Sequence, residues 1–267
     1  YPPMIMLAGG TPVPVSLPSG DNFRITADLL REKVTAKTKA IMVNSPSNPT
    51  GRVLTQEEVD AVVEVALEAD LYVISDEIYE FLTYDGVEHH SPVKLLPALK
   101  DQAVVVTGVS KSYAMTGWRV GFALAEEELA YRMGAYQAHA TGCPNAISQV
   151  AAVEAVKNGA ADRDRMCGEF AKRKKMFGER LATIPGISFP EPGGAFYFLA
   201  DVSSLYPAIG VSGSGEFCEK LLKEKGLLVI PGGPFGLDNM IRFSFAAGEE
   251  TLTMALDRFE SFVSDYS

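Results

Sequence analysis

The chain has 267 residues, of which 47% are hydrophobic and 22% charged, the composition of an ordinary globular protein with one large domain or two modest ones. Its formal net charge of −10 argues against a nucleic-acid partner, because binding to a phosphate backbone requires a basic face. No apolar run approaches membrane-spanning length and no targeting signal is visible, so no membrane contact is expected.

The cysteines and histidines show no metal-binding pattern, and no metal is expected. The cysteines are odd in number and far apart: Cys143, Cys167 and Cys218. They offer no disulfide framework and suit a reducing compartment, so we predict a cytoplasmic protein. His89 and His90 have no acidic or cysteine partner at ligand spacing, and we expect them to be surface turn residues.

The start of the chain predicts short elements. Met4 to Ala8 is expected to form a short strand, and Val13 to Leu17 an edge strand, because it alternates with proline and serine. A short helix is predicted over Thr26 to Val34. Ala40 to Val43 is a predicted buried strand that runs into Asn44-Ser-Pro-Ser-Asn-Pro-Thr-Gly51, a dense cluster of turn-forming residues. From composition alone, this cluster is simply a good turn.

The next segment predicts a helix and a second buried strand. Thr55-Gln-Glu-Glu58 is a capping box, and the apolar residues that follow at helical spacing indicate a crossover helix between parallel strands. Leu71 to Ile74 is the second strand, closed by Ser75-Asp-Glu-Ile-Tyr79. An acid at the end of a buried strand, here Asp76, is by itself most often a helix cap or an ion-pair partner.

A third buried strand, Ala103 to Thr107, leads into Gly108-Val-Ser-Lys-Ser-Tyr-Ala-Met-Thr-Gly-Trp-Arg-Val-Gly121. This places Lys111 at the mouth of a sheet, with Arg119 eight residues later. A lysine after a strand is usually a solvated surface charge. However, ligands of open α/β sheets bind outside the carboxyl ends of the strands. Here the three predicted strands end at Asn44, Asp76 and Gly108, so an amide, an acid and Lys111 are expected at one edge of the sheet.

The second half of the chain predicts a change of domain. From Glu126 to about Lys157 the pattern is helical, with a break at Gly142 to Pro144, and Asn158-Gly159 interrupts it again. We therefore predict a large domain over residues 1–158 and a small C-terminal domain over residues 159–267.

The predicted small domain begins with a long charged helix over Ala161 to Thr183, on which the basic run Lys172 to Lys175 is expected to be a solvated face. Further elements are predicted in this order: strands at 187–189 and 195–199, a helix at 215–225, strands at 227–230 and 240–245, and a last helix through 252–263. Arg242 lies inside an apolar strand, which is costly unless it meets an anion. That anion could be an internal Asp or Glu, or a ligand.

The segment around Lys111 resembles the pyridoxal-phosphate lysine signature of class I and II aminotransferases, the aspartate aminotransferase-like group. The residues that carry the resemblance are Gly108, Ser110, Lys111, Arg119 and Gly121. The resemblance implies pyridoxal 5'-phosphate as the cofactor, with Lys111 as the catalytic residue that forms its Schiff base. It also implies that Ser110 and Arg119 hold the cofactor phosphate, a role suited to a guanidinium fork.

Three further motifs support the resemblance. Asn48-Pro-Thr-Gly51 is similar to the family loop whose asparagine contacts the cofactor ring oxygen and the substrate. Asp76 and Tyr79 match the strand-end Asp-Glu-x-Tyr pattern. The resemblance implies that Asp76 pairs with the pyridine nitrogen and Tyr79 donates to the phenolate oxygen. Arg242 lies in a segment similar to the family's Arg-x-Ser-Phe-Ala and would bind the substrate α-carboxylate.

The family resemblance implies a fold-type-I α/β transferase, with a mostly parallel central sheet, flanking helices and a smaller C-terminal α/β domain. Its implied activity is amino transfer from an L-amino acid to a 2-keto acid through Lys111, in a homodimer. Family members also carry a segment before the position of Tyr1 that completes the phosphate site. Two alternatives therefore stay open: a truncated, inactive scaffold of the same fold, or a related lyase with the same cofactor.

Overall fold

The computed structural model describes residues 1–95 and 97–266. The strands are β1 (Ala40–Asn44), β2 (Tyr72–Asp76), β3 (Ala103–Gly108), β4 (Gly121–Leu124), β5 (Tyr197–Asp201), β6 (Ile230–Pro231) and β7 (Met240–Ser244). The α-helices are α1 (Pro2–Leu7), α2 (Ala27–Arg31), α3 (Gln56–Glu68), α4 (Pro92–Leu95), α5 (Glu127–Ala140), α6 (Ala146–Asn158), α7 (Ala160–Leu181), α8 (Tyr206–Ile209), α9 (Ser214–Lys225) and α10 (Glu249–Ser264).

The first sheet has the order β1-β2-β3-β4. Strands β1, β2 and β3 are parallel, and β4 joins β3 in the antiparallel direction. The crossover between β1 and β2 is α3, whose buried face consists mainly of valine and alanine packed on the sheet. The carboxyl ends of the three parallel strands therefore meet at one edge, as the sequence predicts.

Helix α3 begins as predicted. The Thr55 hydroxyl accepts a hydrogen bond from the backbone N–H of Glu58 at 3.3 Å, and the Glu58 carboxylate accepts one from the backbone N–H of Thr55 at 3.0 Å. These two bonds satisfy donors that an uncapped helix would leave free. The predicted helix at Thr26 is also confirmed, with the Thr26 side chain as its N-terminal cap.

The second sheet is antiparallel and has the order β5-β7-β6. Helices α7, α9 and α10 pack on it, and the core between them is rich in phenylalanine. The rings of Phe177 and Phe198, for example, stack with centroids 5.4 Å apart. Gly159 lies between α6 and α7. The division of the chain at residue 158 stays a prediction.

Several short segments differ from their predictions. The strand predicted at 187–189 is only an isolated bridge between Ser188 and Asp201, and the strand predicted at 227–230 is limited to Ile230–Pro231. Met4 to Ala8 does not form a strand, because residues Pro2–Leu7 are helical with proline in the first turn, where it favours a helix. An apolar run of this length has no periodicity that separates the two structures. Val13 to Leu17 forms no strand either. Prolines within and beside this segment remove the donors that a ladder needs.

The basic run on α7 is not a uniformly solvated face, so that prediction is wrong for Lys174. The Lys174 side chain is buried, and its Nζ contacts the carboxylates of Asp85 and Glu191, the latter at 2.8 Å. Burial by itself lowers the pKa of Lys174, but the two carboxylates outweigh it and raise the pKa. Lys172 and Lys175 are exposed as predicted.

Among residues 1–95 and 97–266, none of the helices combines the length and apolar character that crossing a bilayer requires. The same residues contain no group of three or more His, Cys, Asp or Glu side chains placed to hold a metal ion.

Candidate active site

The ends of β1 and β2 are joined by Asn44, which lies opposite Asp76 in the sheet register. The Asn44 amide donates a hydrogen bond to the backbone carbonyl of Asp76 at 3.0 Å, and its Oδ1 accepts one from the backbone N–H of Asn48 at 2.8 Å. One side chain thus holds the Asn48 loop against the strand end that carries Asp76.

The same loop packs closely on the second sheet. Gly51 has a φ of +69°, and a Cβ at this position would overlap Pro192 and lie 2.9 Å from the backbone oxygen of Tyr197. The backbone N–H of Gly194 donates to the Gly51 oxygen at 2.8 Å. A side chain would separate these segments, so glycine is required for the loop to carry Asn48 to the second sheet.

The carboxylate of Asp76 is half-buried and points its oxygens at two donors. Its Oδ1 accepts from the backbone N–H of Ile78 at 3.2 Å, and its Oδ2 accepts from the Tyr1 hydroxyl at 2.6 Å. Burial and this hydrogen bond raise the pKa of Tyr1, so Tyr1 stays a donor. Asp76 therefore presents an acceptor oxygen within the site, where a pyridine N–H is predicted to bind; the Tyr1 contact was not predicted.

Tyr79 is the residue around which the other predicted side chains gather. It is buried, and its hydroxyl lies 2.8 Å from the hydroxyl of Tyr197. Burial is the main cause that raises the pKa of Tyr79, with the Tyr197 hydrogen bond acting in the same direction and the Arg242 charge opposing it. The phenol therefore stays protonated at neutral pH and keeps a proton to donate.

Lys111 is half-buried, and its amine lies against aromatic rings. The Nζ atom is 5.9 Å from the ring centroid of Tyr79 and 5.6 Å from that of Phe196. The two rings are nearly perpendicular, with centroids 5.4 Å apart. Lys111 and Tyr79 are thus neighbours in the structure, although 32 residues separate them in the sequence.

Arg242 completes this group from β7. One of its terminal nitrogens donates to Asn48 Oδ1 at 2.5 Å, and its guanidinium lies over the ring of Tyr197, 4.4 Å from the centroid. Within the described part of the chain, the guanidinium of Arg242 pairs with Asn48 and with no Asp or Glu, and its buried Nε has no hydrogen-bond partner. The internal ion pair that the sequence left open is therefore not found in these residues.

Ser110 and Arg119 lie outside this network. Arg119 is exposed, and its guanidinium donates a hydrogen bond to the carbonyl of Thr116 at 2.9 Å. It borders an open cleft of about 470 Å³ that Trp118, Asn145 and Ser148 also line. No hydrogen bond in the described residues joins Ser110 or Arg119 to Lys111, so their phosphate-binding role stays a prediction.

His89 is not a surface turn residue, and that prediction is wrong. Its side chain is only 12% exposed, and Nε2 lies 2.9 Å from the carboxylate of the buried Glu77. The Ser91 hydroxyl donates to the other oxygen of Glu77 at 2.7 Å. The partner is 12 residues away in sequence, beyond any local spacing pattern. Glu77 directly follows Asp76, the last residue of β2, so this cluster adjoins the site in the chain.

Tyr197 was not identified from the sequence, although it contacts two predicted site residues. A signal was available: Tyr197 is followed by the apolar residues Phe198, Leu199 and Ala200 in a buried strand, and the hydroxyl of a buried tyrosine usually has a hydrogen-bond partner. The sequence alone does not show which partner this is, because Tyr79 and Arg242 lie far from it along the chain.

Asp76, Tyr79 and Lys111 lie at or just after the ends of strands of the first sheet, and Arg242 joins them from β7 of the second sheet. The family model described as aminotransferase class I and II matches residues 1–259. The chain belongs to this family. It is an enzyme with the fold of the fold-type-I transferases, as the sequence predicts.

Similar proteins agree with this assignment. The chain is 41% identical over 263 residues to an aspartate aminotransferase of Bacillus sp. (strain YM-2), covering 98% of this chain and 67% of that protein. It is 39% identical to the aspartate aminotransferase of Bacillus subtilis (strain 168), covering 100% of this chain and 68% of that protein. The crystal structure of aspartate aminotransferase from Thermotoga maritima superposes with a TM-score of 0.91 at 38% identity, covering 99% of this chain and 67% of that one. The chain thus spans about two thirds of the length of these relatives.

Proposed function

We propose that this protein transfers the amino group of an L-amino acid to a 2-keto acid, with pyridoxal 5'-phosphate as its cofactor. The observation that carries the proposal is the state of Arg242. Its guanidinium is half-buried, has no carboxylate partner in the described residues and is anchored by Asn48 and an aromatic ring. A cation held in this way is suited to a two-point contact with a ligand carboxylate.

The residues around Arg242 fit the proposed cofactor. Asp76 has a carboxylate oxygen that accepts a hydrogen bond from the phenol of Tyr1. The same oxygen is therefore placed to accept a hydrogen bond from a donor on an aromatic ring. Tyr79 keeps its proton and can donate it, and the Nε atom of Arg242 is a buried donor without a partner. When bound, pyridoxal phosphate supplies an electron sink for the negative charge that develops at the substrate Cα.

Each side chain has a separate task in this proposal. Lys111 would supply the amine that holds the cofactor as a Schiff base, and the same amine, when free, would remove and return the Cα proton. Asp76 keeps the pyridine nitrogen protonated, and Tyr79 and Asn48 donate to the ring oxygen. Arg242 orients the substrate by its α-carboxylate. Ser110 and Arg119 are proposed to hold the phosphate, for which Arg119 is accessible at the open cleft.

We also propose a homodimer. Helices α5 and α6 expose large apolar side chains to solvent, among them Tyr131, Tyr136, Ile147 and Val150. Large apolar side chains exposed in this number commonly mark an interface, and homo-oligomers of soluble proteins are usually symmetric. The cytoplasmic location stays a prediction.

The proposal is tested by mixing the protein with pyridoxal phosphate, a panel of L-amino acids that includes aspartate, and 2-oxoglutarate as acceptor. We expect glutamate and the matching keto acid in equal amounts, and no product from the Lys111→Ala variant. Release of free ammonia without glutamate would indicate the lyase alternative. Absence of amino transfer with every donor and acceptor would contradict the proposal.

A further inference from the structure

Tyr197 touches two different parts of the proposed site. It lies on β5, is 6% exposed and places its hydroxyl 2.8 Å from the hydroxyl of Tyr79. The guanidinium of Arg242 lies over the face of the Tyr197 ring, 4.4 Å from the ring centroid. One side chain thus connects a residue proposed to contact the cofactor with the residue proposed to bind the substrate carboxylate.

The direction of the hydroxyl–hydroxyl bond follows from the number of protons. Each phenol has one O–H proton, so Tyr79 cannot donate to Tyr197 and to a cofactor oxygen at the same time. When Tyr79 donates to the cofactor ring oxygen, the Tyr79 oxygen must accept its second hydrogen bond from Tyr197. A hydroxyl that accepts a hydrogen bond is polarised and becomes a stronger donor.

We infer that Tyr197 is a positioning residue that acts on the cofactor through Tyr79 and on the substrate through Arg242. The inference rests on the proposed function. The hydroxyl of Tyr197 strengthens Tyr79 as a donor, and its ring holds the guanidinium by a cation–π contact. The two effects come from different atoms of one side chain, so they can be separated by substitution.

The surroundings of Tyr197 fix the side chain firmly enough for both contacts. Its backbone pairs with Ser244 of β7, and its carbonyl oxygen would lie 2.9 Å from a Cβ placed on Gly51. Its ring packs against that of Phe196, with centroids 4.7 Å apart. A phenylalanine would fill this space equally well, so packing alone does not require the hydroxyl.

The Tyr197→Phe variant removes only the hydroxyl. A donor on the cofactor ring oxygen competes for that oxygen with the proton on the neighbouring Schiff-base nitrogen. A weaker Tyr79 therefore raises the pH midpoint at which the absorbance of the bound cofactor changes. We expect an increase of about 0.5–1 pH unit, the size of one ordinary hydrogen bond. KM for the amino acid should change less than twofold, because the ring under Arg242 stays.

The Tyr197→Leu variant removes the ring as well. It should show the same rise of the pH midpoint, and in addition KM for the amino acid should increase by about 3- to 30-fold, since the cation–π contact to Arg242 is lost. If this variant does not fold, the comparison of Tyr197→Phe with its controls still decides the role of the hydroxyl.

Two controls make the result interpretable. Tyr84→Phe deletes the hydroxyl of another buried tyrosine, which donates to the carbonyl of Ala195, and it should leave the pH midpoint unchanged. Tyr79→Phe should raise the midpoint more than Tyr197→Phe does.

If Tyr79→Phe shifts the midpoint and Tyr197→Phe matches wild type, the inference is wrong and the proposed function stands. If neither Tyr79→Phe nor Lys111→Ala alters the cofactor spectrum, the proposed function fails, and the inference with it.

Discussion

Glu58 is a buried carboxylate, and its contacts indicate how much free energy of unfolding is lost when its charge is removed. It is 1% exposed and accepts two hydrogen bonds from the Arg52 guanidinium, each at 2.9 Å. It also accepts from the backbone N–H groups of Thr55 at 3.0 Å and Ile25 at 2.8 Å. The backbone carbonyl of Arg52 in turn accepts from Ser47 at 2.7 Å. Glu58 therefore stabilises both the start of α3 and the loop that carries Asn48.

The Glu58→Gln variant keeps the size of the side chain but removes its charge. It leaves Arg52, whose side chain is 11% exposed, without its counter-ion, and it turns an NH₂ group towards donors. Removing one partner of a buried ion pair costs about 3–5 kcal/mol. We expect about 3 kcal/mol, because Arg52 keeps its hydrogen bond to the carbonyl of Phe23. At about 2–4 °C per kcal/mol, Tm should fall by roughly 6–12 °C.

The same contacts make the contribution of Glu58 to the free energy of unfolding dependent on pH. Burial alone would raise the pKa of Glu58, but the hydrogen bonds from Arg52, Thr55 and Ile25 outweigh burial and lower the pKa. The folded-state pKa is thus below the unfolded value of about 4.3. The stabilisation is fully present above that pH and is lost as the pH falls through the folded-state pKa. The difference between wild type and Glu58→Gln should therefore shrink in acid.

The assay is urea unfolding followed by circular dichroism, at pH 7 and at steps down to pH 3. Glu57→Gln is the matched control, since Glu57 is the next residue, is exposed and pairs with Arg24 at 3.0 Å on the surface. Surface pairs contribute about 0–1 kcal/mol, so the control should be close to wild type. If the two variants were equally stable at pH 7, the buried ion pair would not stabilise the fold as argued.

Three further predictions concern the site and helix α7. Asp76→Asn should keep the cofactor but slow removal of the Cα proton, because an amide does not hold the pyridine nitrogen protonated; an unchanged single-turnover rate would leave Asp76 a structural role only. Arg242→Lys should raise KM and lower kcat, because lysine lacks the planar two-point contact; an equal loss with amines that have no carboxylate would refute this role. Lys174→Met should cost only about 1–2 kcal/mol in urea unfolding, since Asp85 and Glu191 stay hydrated. A loss as large as that of Glu58→Gln would contradict this reasoning.

Local patterns predicted the elements that local chemistry controls. The capping box at Thr55, the parallel strands and the breaks between helices are in the structure because each depends on neighbouring residues, although β1 and β3 are only partly buried. The short apolar run at Met4 was predicted wrongly, because its local pattern is too short to be informative. Five residues contain too little periodicity to separate a strand from a helix.

The contacts that the sequence did not reveal all join distant segments. Glu77 pairs with His89, and Lys174 with Asp85, so a charge that looks solvated or unpaired in sequence is buried and paired in the fold. Tyr197 reaches Tyr79 across 118 residues. Motifs identified the residues proposed for chemistry, whereas the residues that position them become visible only when the two sheets are brought together.

The central claim is that Lys111 is the amine that binds the cofactor. The direct measurement is to incubate the protein with pyridoxal phosphate, reduce the product with borohydride, digest it and locate the added mass by peptide mass spectrometry. We predict a single predominant adduct on the peptide that contains Lys111, absent from the Lys111→Ala variant. An adduct spread over exposed lysines such as Lys172, or one that persists unchanged in Lys111→Ala, would contradict the claim.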